Sequence, residues 1–182
     1  MTARVLVEQS LVLCREIGDG WTSSFAIAIL ARIAARQGDY AAARALHEES
    51  LREAGALKDP YPTAYCLEAL AETMAAKGAT AWAAQLWGTA EAERERCGVP
   101  KFPVDRRDYE ATVAAVRLQL GEATFAAAWS EGRSLTTGRR RSTRQLCPPG
   151  RARLPPCPLT NPRRDPLAER AQTLCCHAEQ AV

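Results

Sequence analysis

The segment SFAIAILARIAARQGDYAAARALHEESLREAGAL, residues 24–57, predicts two helices separated by a break at Gly38 and Asp39. Apolar or small residues recur at helical spacing on both sides of the break, as at Ile27 in the first helix and Ala43 in the second. Gly38 can adopt the left-handed conformation that ends a helix, and Asp39 can cap the helix that follows. The segment therefore predicts a helical hairpin.

The same pattern returns at a fixed offset further along the chain. Aligning residues 3–52 with residues 43–92 gives many identical pairs. Pairs within the hairpins include Leu30 and Leu70, Ala31 and Ala71, Gly38 and Gly78, Ala43 and Ala83, and Leu46 and Leu86. A repeat of this length is typical of stacked helical hairpins, because one hairpin cannot bury its apolar face alone. The sequence therefore predicts an all-α helical-hairpin solenoid.

The repeat divides residues 1–136 into one partial unit, two full units and a degenerate closing pair. These units are residues 1–20, 22–57, 62–97 and 105–132, with helices predicted at 3–17, 24–37, 40–55, 64–77, 80–97, 106–120 and 122–131. We expect residues 58–62, KDPYP, to form a linker, because prolines disfavour a helix interior. A longer linker between hairpins would also account for the length of the repeat.

The composition changes sharply after Thr137. This part of the chain contains seven of the 11 prolines, four of the seven cysteines and nine of the 24 basic residues, but only three of the 21 acidic residues. We predict that residues 137–182 form a disordered basic tail. GC-rich DNA read out of frame encodes such a composition, so a frameshift near codon 137 is our leading explanation, and a genuine basic tail is the rival. The repeat also starts without its first helix, which predicts a fragment, a split gene product or a misplaced start codon.

The overall composition and the cysteine content indicate a cytoplasmic protein. With 47% hydrophobic residues and 25% charged residues, the chain has the composition of a globular domain. The sequence shows neither a membrane-spanning apolar stretch nor a signal peptide, so we expect no membrane partner. Seven cysteines at irregular spacing favour reduced thiols over a disulfide framework.

The first full unit contains, in order, Leu30-Ala31, Gly38-Asp39-Tyr40 and Ala43, and the second full unit repeats much of this order. This order resembles the tetratricopeptide repeat, although the period here is longer than the usual period of roughly 34 residues. Three segments, QGDY at 37–40, EESL at 48–51 and WSEGRSLT at 129–136, resemble the C-terminal repeat region of large bacterial ATP-dependent regulators of the LuxR-type transcriptional regulator and predicted-ATPase group. The resemblance implies an interaction module from such a regulator. The ATP and DNA activities of that group do not carry over, because the sequence has neither a phosphate-binding Gly-x-x-x-x-Gly-Lys-Ser/Thr loop nor a recognisable helix-turn-helix outside the repeats.

No set of residues predicts catalysis, a cofactor or a metal site, so we expect a protein that is not an enzyme. His47 falls at an inward position and is expected in the core. Cys175, Cys176 and His177 are adjacent, but structural zinc sites use wider spacing, such as Cys-x-x-Cys.

Two other groups of residues receive structural interpretations. Glu91 with Arg94, and Glu93 with Arg96, have i,i+3 spacing and are expected on a solvated helix face. Large aromatic residues at helical spacing are expected to pack in the core, and here they are Trp82, Trp87, Phe125 and Trp129.

The predicted functional surface is the concave side formed by the first helices of successive units. On it, three residues of one unit are expected to face three of the next, namely Phe25, Arg32 and Arg36 opposite Tyr65, Glu68 and Glu72. Aromatic groups combined with both signs of charge suit a peptide or a helix of a protein partner. An ordinary solvated face is the other interpretation. An apolar helix face left by the incomplete first unit also predicts self-association.

An alternative function is nucleic-acid binding through the tail. Its arginines could contact phosphate groups without sequence preference, and the candidates are Arg139, Arg140, Arg141, Arg144, Arg151 and Arg153. The tail has no aromatic residue for base stacking, so the sequence does not predict base specificity.

Overall fold

The structure is a computed structural model that describes residues 2–101 and 103–138. The described residues form seven α-helices and no β-strand, which confirms the predicted all-α helical-hairpin class. The helices are α1 (Ala3–Ile17), α2 (Gly20–Arg36), α3 (Tyr40–Ala56), α4 (Pro60–Ala76), α5 (Thr80–Cys97), α6 (Pro103–Leu120) and α7 (Glu122–Gly138). The predicted tail lies outside the described residues, apart from its first two residues, which belong to α7.

The helices themselves recur at half the period of the hairpins, because α2, α3, α4 and α5 begin at residues 20, 40, 60 and 80. Each turn between these helices has three residues, as at 37–39 between α2 and α3. The backbone has positive φ at every twentieth position, at Gly18, Gly38, Lys58, Gly78 and Gly98. The predicted long linker is therefore wrong. The long period arises instead from long helices, such as α2 and α3, that are joined by short turns.

Residues 58–62 are not the predicted linker, because α4 begins at Pro60. The first amide groups of a helix have no partner within it, so proline in the first turn costs no hydrogen bond. Asp59 caps this helix, with its carboxylate accepting a hydrogen bond of 2.9 Å from the Tyr61 amide. Asp19 likewise caps α2 by accepting from the Thr22 amide at 3.1 Å, so α2 starts before the predicted residue 24.

The chain divides into two compact units after Lys58. In the first unit, α2 packs against α1 on one side and against α3 on the other. Its core joins apolar side chains of α1 and α2, namely Val7, Leu11, Ala26, Ile27, Ile29, Leu30 and Ile33. In α1, Val7 is completely buried, whereas Val5 is 39% exposed.

The second unit contains α4 to α7, and α5 packs closely against both α4 and α7. Where α5 and α7 cross, a Cβ atom added at Gly88 would overlap the Trp129 carbonyl group, and one added at Gly132 would overlap that of Gln85. The two backbones can approach this closely only because both positions are glycine. The last two helices therefore differ from a regular closing hairpin, since α7 packs mainly on α5 and much less on α6.

None of the helices in the described part of the chain is long and apolar enough to span a membrane.

Candidate partner-binding surface

In the first unit, the predicted surface residues lie along one stripe of α2. Trp21, Phe25, Arg32 and Arg36 have the spacing that places side chains on one helix face. The rings of Trp21 and Phe25 stack with centroids 4.5 Å apart and planes at 27°. Phe25 and Arg32 are half-buried, and Arg36 is exposed. The sequence prediction missed Trp21, although its i,i+4 spacing to Phe25 could have identified it.

Arg32 of this stripe lies near a buried histidine of α3. His47 of α3 is only 1% exposed, as the sequence predicts. Burial, and then the nearby charge of Arg32, lower the pKa of His47 from 6.5 to about 4. The imidazole is therefore neutral at pH 7, and the guanidinium of Arg32 lies near enough to influence its protonation.

In the second unit, the three predicted surface residues belong to α4 and are more enclosed. Tyr65 is 9% exposed and Glu68 is 4% exposed, while Glu72 is half-buried. The Glu68 carboxylate accepts hydrogen bonds from Arg94 Nε at 2.6 Å and Arg94 Nη2 at 2.7 Å. It also accepts one from Lys101 Nζ at 2.6 Å. Glu68 is therefore the centre of a buried ion cluster within its own unit.

Aromatic rings enclose this cluster. The guanidinium of Arg94 lies 5.0 Å from the ring centroid of Tyr61, and the Lys101 amine lies 3.9 Å from that of Tyr109. Burial alone would lower the pKa of Arg94, but its hydrogen bonds to Glu68 and the charge of Glu68 raise it. For Lys101 burial is the stronger effect, and it lowers the pKa of the amine. Removing one member of a buried pair typically costs about 3 to 5 kcal/mol, so this cluster is structural.

The predicted solvated face on α5 is wrong, although one of its two predicted i,i+3 pairs, Glu93 with Arg96, forms. Arg94 belongs to the buried cluster, and Glu93, which is 5% exposed, pairs with Arg96. Glu91 does not pair with Arg94; instead it accepts a hydrogen bond of 2.7 Å from Trp129 Nε1 and pairs with Arg133. Arg94 thus joins α5 to α4, and Glu91 joins α5 to α7. The partners of these two residues are 26 to 42 residues away in sequence, so i,i+3 spacing could not reveal them.

The predicted packing aromatics have different environments. Trp87 is completely buried and Phe125 is 2% exposed, as predicted. Trp129 is half-buried against α5. Trp82 contradicts the prediction, because it lies at the start of α5 with 51% of its surface exposed.

The structure thus places Phe25, Arg32 and Arg36 together on α2, and Tyr65, Glu68 and Glu72 together on α4. That the two groups face each other stays a prediction. Residues of the alternative nucleic-acid site, Arg139 to Arg153, lie outside the described residues, as do Cys175, Cys176 and His177. Among the side chains that the structure describes, at residues 2–101 and 106–135, no group of three or more His, Cys, Asp or Glu residues is arranged to hold a metal ion.

Comparison with known proteins gives a partial match. Over 119 residues the chain is 29% identical to candidate HTH-type transcriptional regulators of Mycobacterium bovis and of two strains of Mycobacterium tuberculosis. The match covers 65% of this chain but only 14% of each of those proteins. No protein-family model matches the chain, and no solved structure matches it.

Proposed function

We propose that this chain is a non-catalytic interaction module of a bacterial transcriptional regulator, of the ATP-dependent LuxR-type group, and that it binds a segment of a protein partner. The similarity to candidate HTH-type regulators supports the regulator assignment. The hairpin architecture supports the interaction role, because repeated helical hairpins offer extended surfaces to other proteins.

The observation that carries the proposal is the stripe on α2. Stacked rings of Trp21 and Phe25 occupy its first half, and Arg32 and Arg36 occupy its second half. Aromatic rings and arginine are the side chains most enriched where binding energy concentrates in protein interfaces. Two guanidinium groups beside an aromatic pair suit a partner segment that combines carboxylates with aromatic or aliphatic side chains.

The exposure of the charged residues favours α2 over α4 as the binding element. Glu68 on α4 is saturated by Arg94 and Lys101 and is almost completely buried. A partner that recruited this carboxylate would have to break a buried ion cluster, at a cost of about 3 to 5 kcal/mol. Arg36 on α2 can contact a partner without such a cost, because it is exposed.

A peptide-display selection on the purified chain tests the proposal. Selected peptides should be enriched in acidic residues interspersed with aromatic or aliphatic ones. Binding of a selected peptide, followed by fluorescence anisotropy, should weaken at least roughly tenfold in the double variant Arg32→Glu/Arg36→Glu, because two attractive contacts become repulsive.

A second double variant, Arg44→Glu/Arg52→Glu, is the matched control, because it makes the same charge change at exposed positions on α3 of the same unit. It should leave the affinity within about twofold. The proposal fails if both double variants weaken binding equally, since overall charge would then explain the effect. It also fails if neither weakens binding, since the peptide would then bind elsewhere.

A further inference from the structure

The two full hairpins carry the same small residues at several buried positions. Ala31 of α2 corresponds in the repeat to Ala71 of α4. Ala43 of α3 corresponds to Ala83 of α5, and all four alanines are completely buried. Helix α2 packs on α3 about as closely as α4 packs on α5. Because specificity is a difference between alternatives, identical small residues give α2 little by which to distinguish α3 from α5.

The buried ion pair of the second hairpin has no counterpart in the first. At the offset of the repeat, Glu68 corresponds to Ala28. Arg94 likewise corresponds to Ala54, and both alanines are completely buried. In the second hairpin the same two positions hold a carboxylate and a guanidinium that are joined by two hydrogen bonds. The first hairpin therefore shows that alanine at both positions is compatible with a closed hairpin.

One more buried position differs strongly in size between the hairpins. Trp87 of α5 corresponds to His47 of α3, and both side chains are buried. The Trp87 ring packs in a cluster that also contains Val116 of α6 and Phe125 of α7. Its size is therefore matched to the later helices as well as to α4, whereas the ion pair joins the two helices of one hairpin.

An exchange of helices between the hairpins would separate the two charges. If α4 packed on α3, the Glu68 carboxylate would meet Ala54 at the place where it now meets Arg94. If α2 packed on α5, the Arg94 guanidinium would meet Ala28. A buried charge that loses its partner is strongly destabilising, whereas replacement of a whole buried pair by apolar residues is often tolerated. The ion pair therefore disfavours the wrong pairings more than it stabilises the right one.

We propose that the Glu68–Arg94 pair, together with Lys101, makes each helix select the partner of its own hairpin and so prevents copies of the chain from exchanging helices. Repeat proteins are prone to such exchange, because equivalent elements of two copies can occupy each other's places. The role is independent of peptide binding on α2.

Refolding of the full chain from urea tests the proposal. The variant Glu68→Ala/Arg94→Ala/Lys101→Met gives the second hairpin the two alanines of the first and removes the third buried charge. It should keep the helical circular dichroism of the wild type but form roughly tenfold more dimer or more, because the exchanged pairings no longer bury a lone charge. Size-exclusion chromatography with light scattering measures the dimer after dilution, which dissociates a reversible surface contact. A variant that fails to form its helices would overturn the proposal, since the cluster would then be required for folding itself.

The pairing within the dimer is a second readout. A mixture of isotopically labelled and unlabelled chains is refolded together, and a dihydrazide reagent then cross-links carboxylates that lie close together. Mass spectrometry of the variant should find cross-links from α3 of a labelled chain to α4 of an unlabelled one, and the wild type should lack them. A dimer without these mixed cross-links would contradict the proposal.

Two controls separate pairing from charge and from stability. The variant Glu91→Ala/Arg133→Ala/Lys77→Met also removes one acid and two bases, but at exposed or partly exposed positions. It should form no more dimer than the wild type does. The second control is wild type refolded at the urea concentration that reduces its stability to that of the first variant. If either control forms as much dimer as that variant, the proposed selection of partners is wrong.

Discussion

The turn position at residue 58 differs from its equivalents in the repeat. Gly38 and Gly78 have positive φ there, whereas Lys58 has φ of 55° with a side chain attached. A residue other than glycine in this region costs roughly 1 kcal/mol. We expect Lys58→Gly to raise the free energy of unfolding by about 1 kcal/mol in urea titrations. The reciprocal change, Gly38→Lys, should lower it by a similar amount, and stabilisation by both changes would contradict this interpretation.

The helix cap at residue 79 is another departure from the repeat. Asp19, Asp39 and Asp59 each accept a hydrogen bond from an amide in the first turn of the next helix, whereas Ala79 cannot. The backbone at Ala79 has φ of −83° and ψ of 57°, close to the values of −83° and 73° at Asp39. Ala79→Asp should therefore stabilise the chain by about 1 kcal/mol.

Urea unfolding measures this gain in stability. Asp39→Ala makes the reverse change, because it removes a capping carboxylate. Because Asp39 accepts from the Ala42 amide at 3.0 Å, its removal should cost about 1 kcal/mol. A neutral effect of Ala79→Asp combined with a loss from Asp39→Ala would show that the turn at residue 79 does not place the new carboxylate correctly.

The buried imidazole of His47 makes stability depend on pH. Its pKa is about 4 in the folded chain and 6.5 in the unfolded chain, so between these values only the unfolded chain binds the proton. Stability therefore falls as the pH decreases from 6.5 towards 4. Between pH 7 and pH 5 the wild type should lose about 1 to 2 kcal/mol more than His47→Gln does, in urea titrations at both pH values. Equal losses in the two proteins would contradict this assignment.

At the scale of helices, the crossing of α5 and α7 depends on two glycines. Gly88→Ala should force the helices apart, because the new methyl group would overlap the Trp129 carbonyl. We expect it to lower the free energy of unfolding by about 1 to 3 kcal/mol. Gly55→Ala is the matched control, since no atom lies within 4 Å of its new Cβ, and alanine should favour α3 by up to about 1 kcal/mol. If Gly88→Ala also raises the free energy of unfolding, α5 and α7 do not cross as closely as described.

The sequence predicted the helices well because their signals are local. Periodic apolar residues and the Gly-Asp turns identified all seven helices, and most of the predicted ends lie close to the observed ones. Pro60 and Pro62 caused the error at the start of α4, because proline disfavours a helix interior but not its first turn. The last helix was predicted to end at residue 131, but α7 continues to Gly138. The α5–α7 crossing could not be predicted, since Gly88 and Gly132 are far apart in sequence and each resembles an ordinary glycine within a helix.

At the scale of the whole chain, the candidate site was only partly predictable. Helical spacing placed Phe25, Arg32 and Arg36 on one face, which is a property of a single element. The burial and pairing of the Glu68 carboxylate depend on Arg94 and Lys101, which lie on α5 and on the segment after α5. Charge pairing between distant segments leaves no periodic signal, so a buried structural carboxylate was predicted as a surface residue.

Self-association through the apolar face of the first unit stays a prediction, and α6 of the second unit offers another face for it. Leu118 is 87% exposed on α6, and Ala111, Ala114 and Ala115 are exposed at helical spacing on the same helix face. Burying one leucine side chain contributes about 1.5 to 3 kcal/mol, so contact between copies through this face would strengthen with protein concentration. Sedimentation velocity should show an oligomer at high concentration, and Leu118→Glu should weaken it roughly tenfold or more. Gln119→Glu adds the same charge at the neighbouring exposed position and should have little effect. A monomer at every concentration, or equal effects of the two variants, would exclude association through α6.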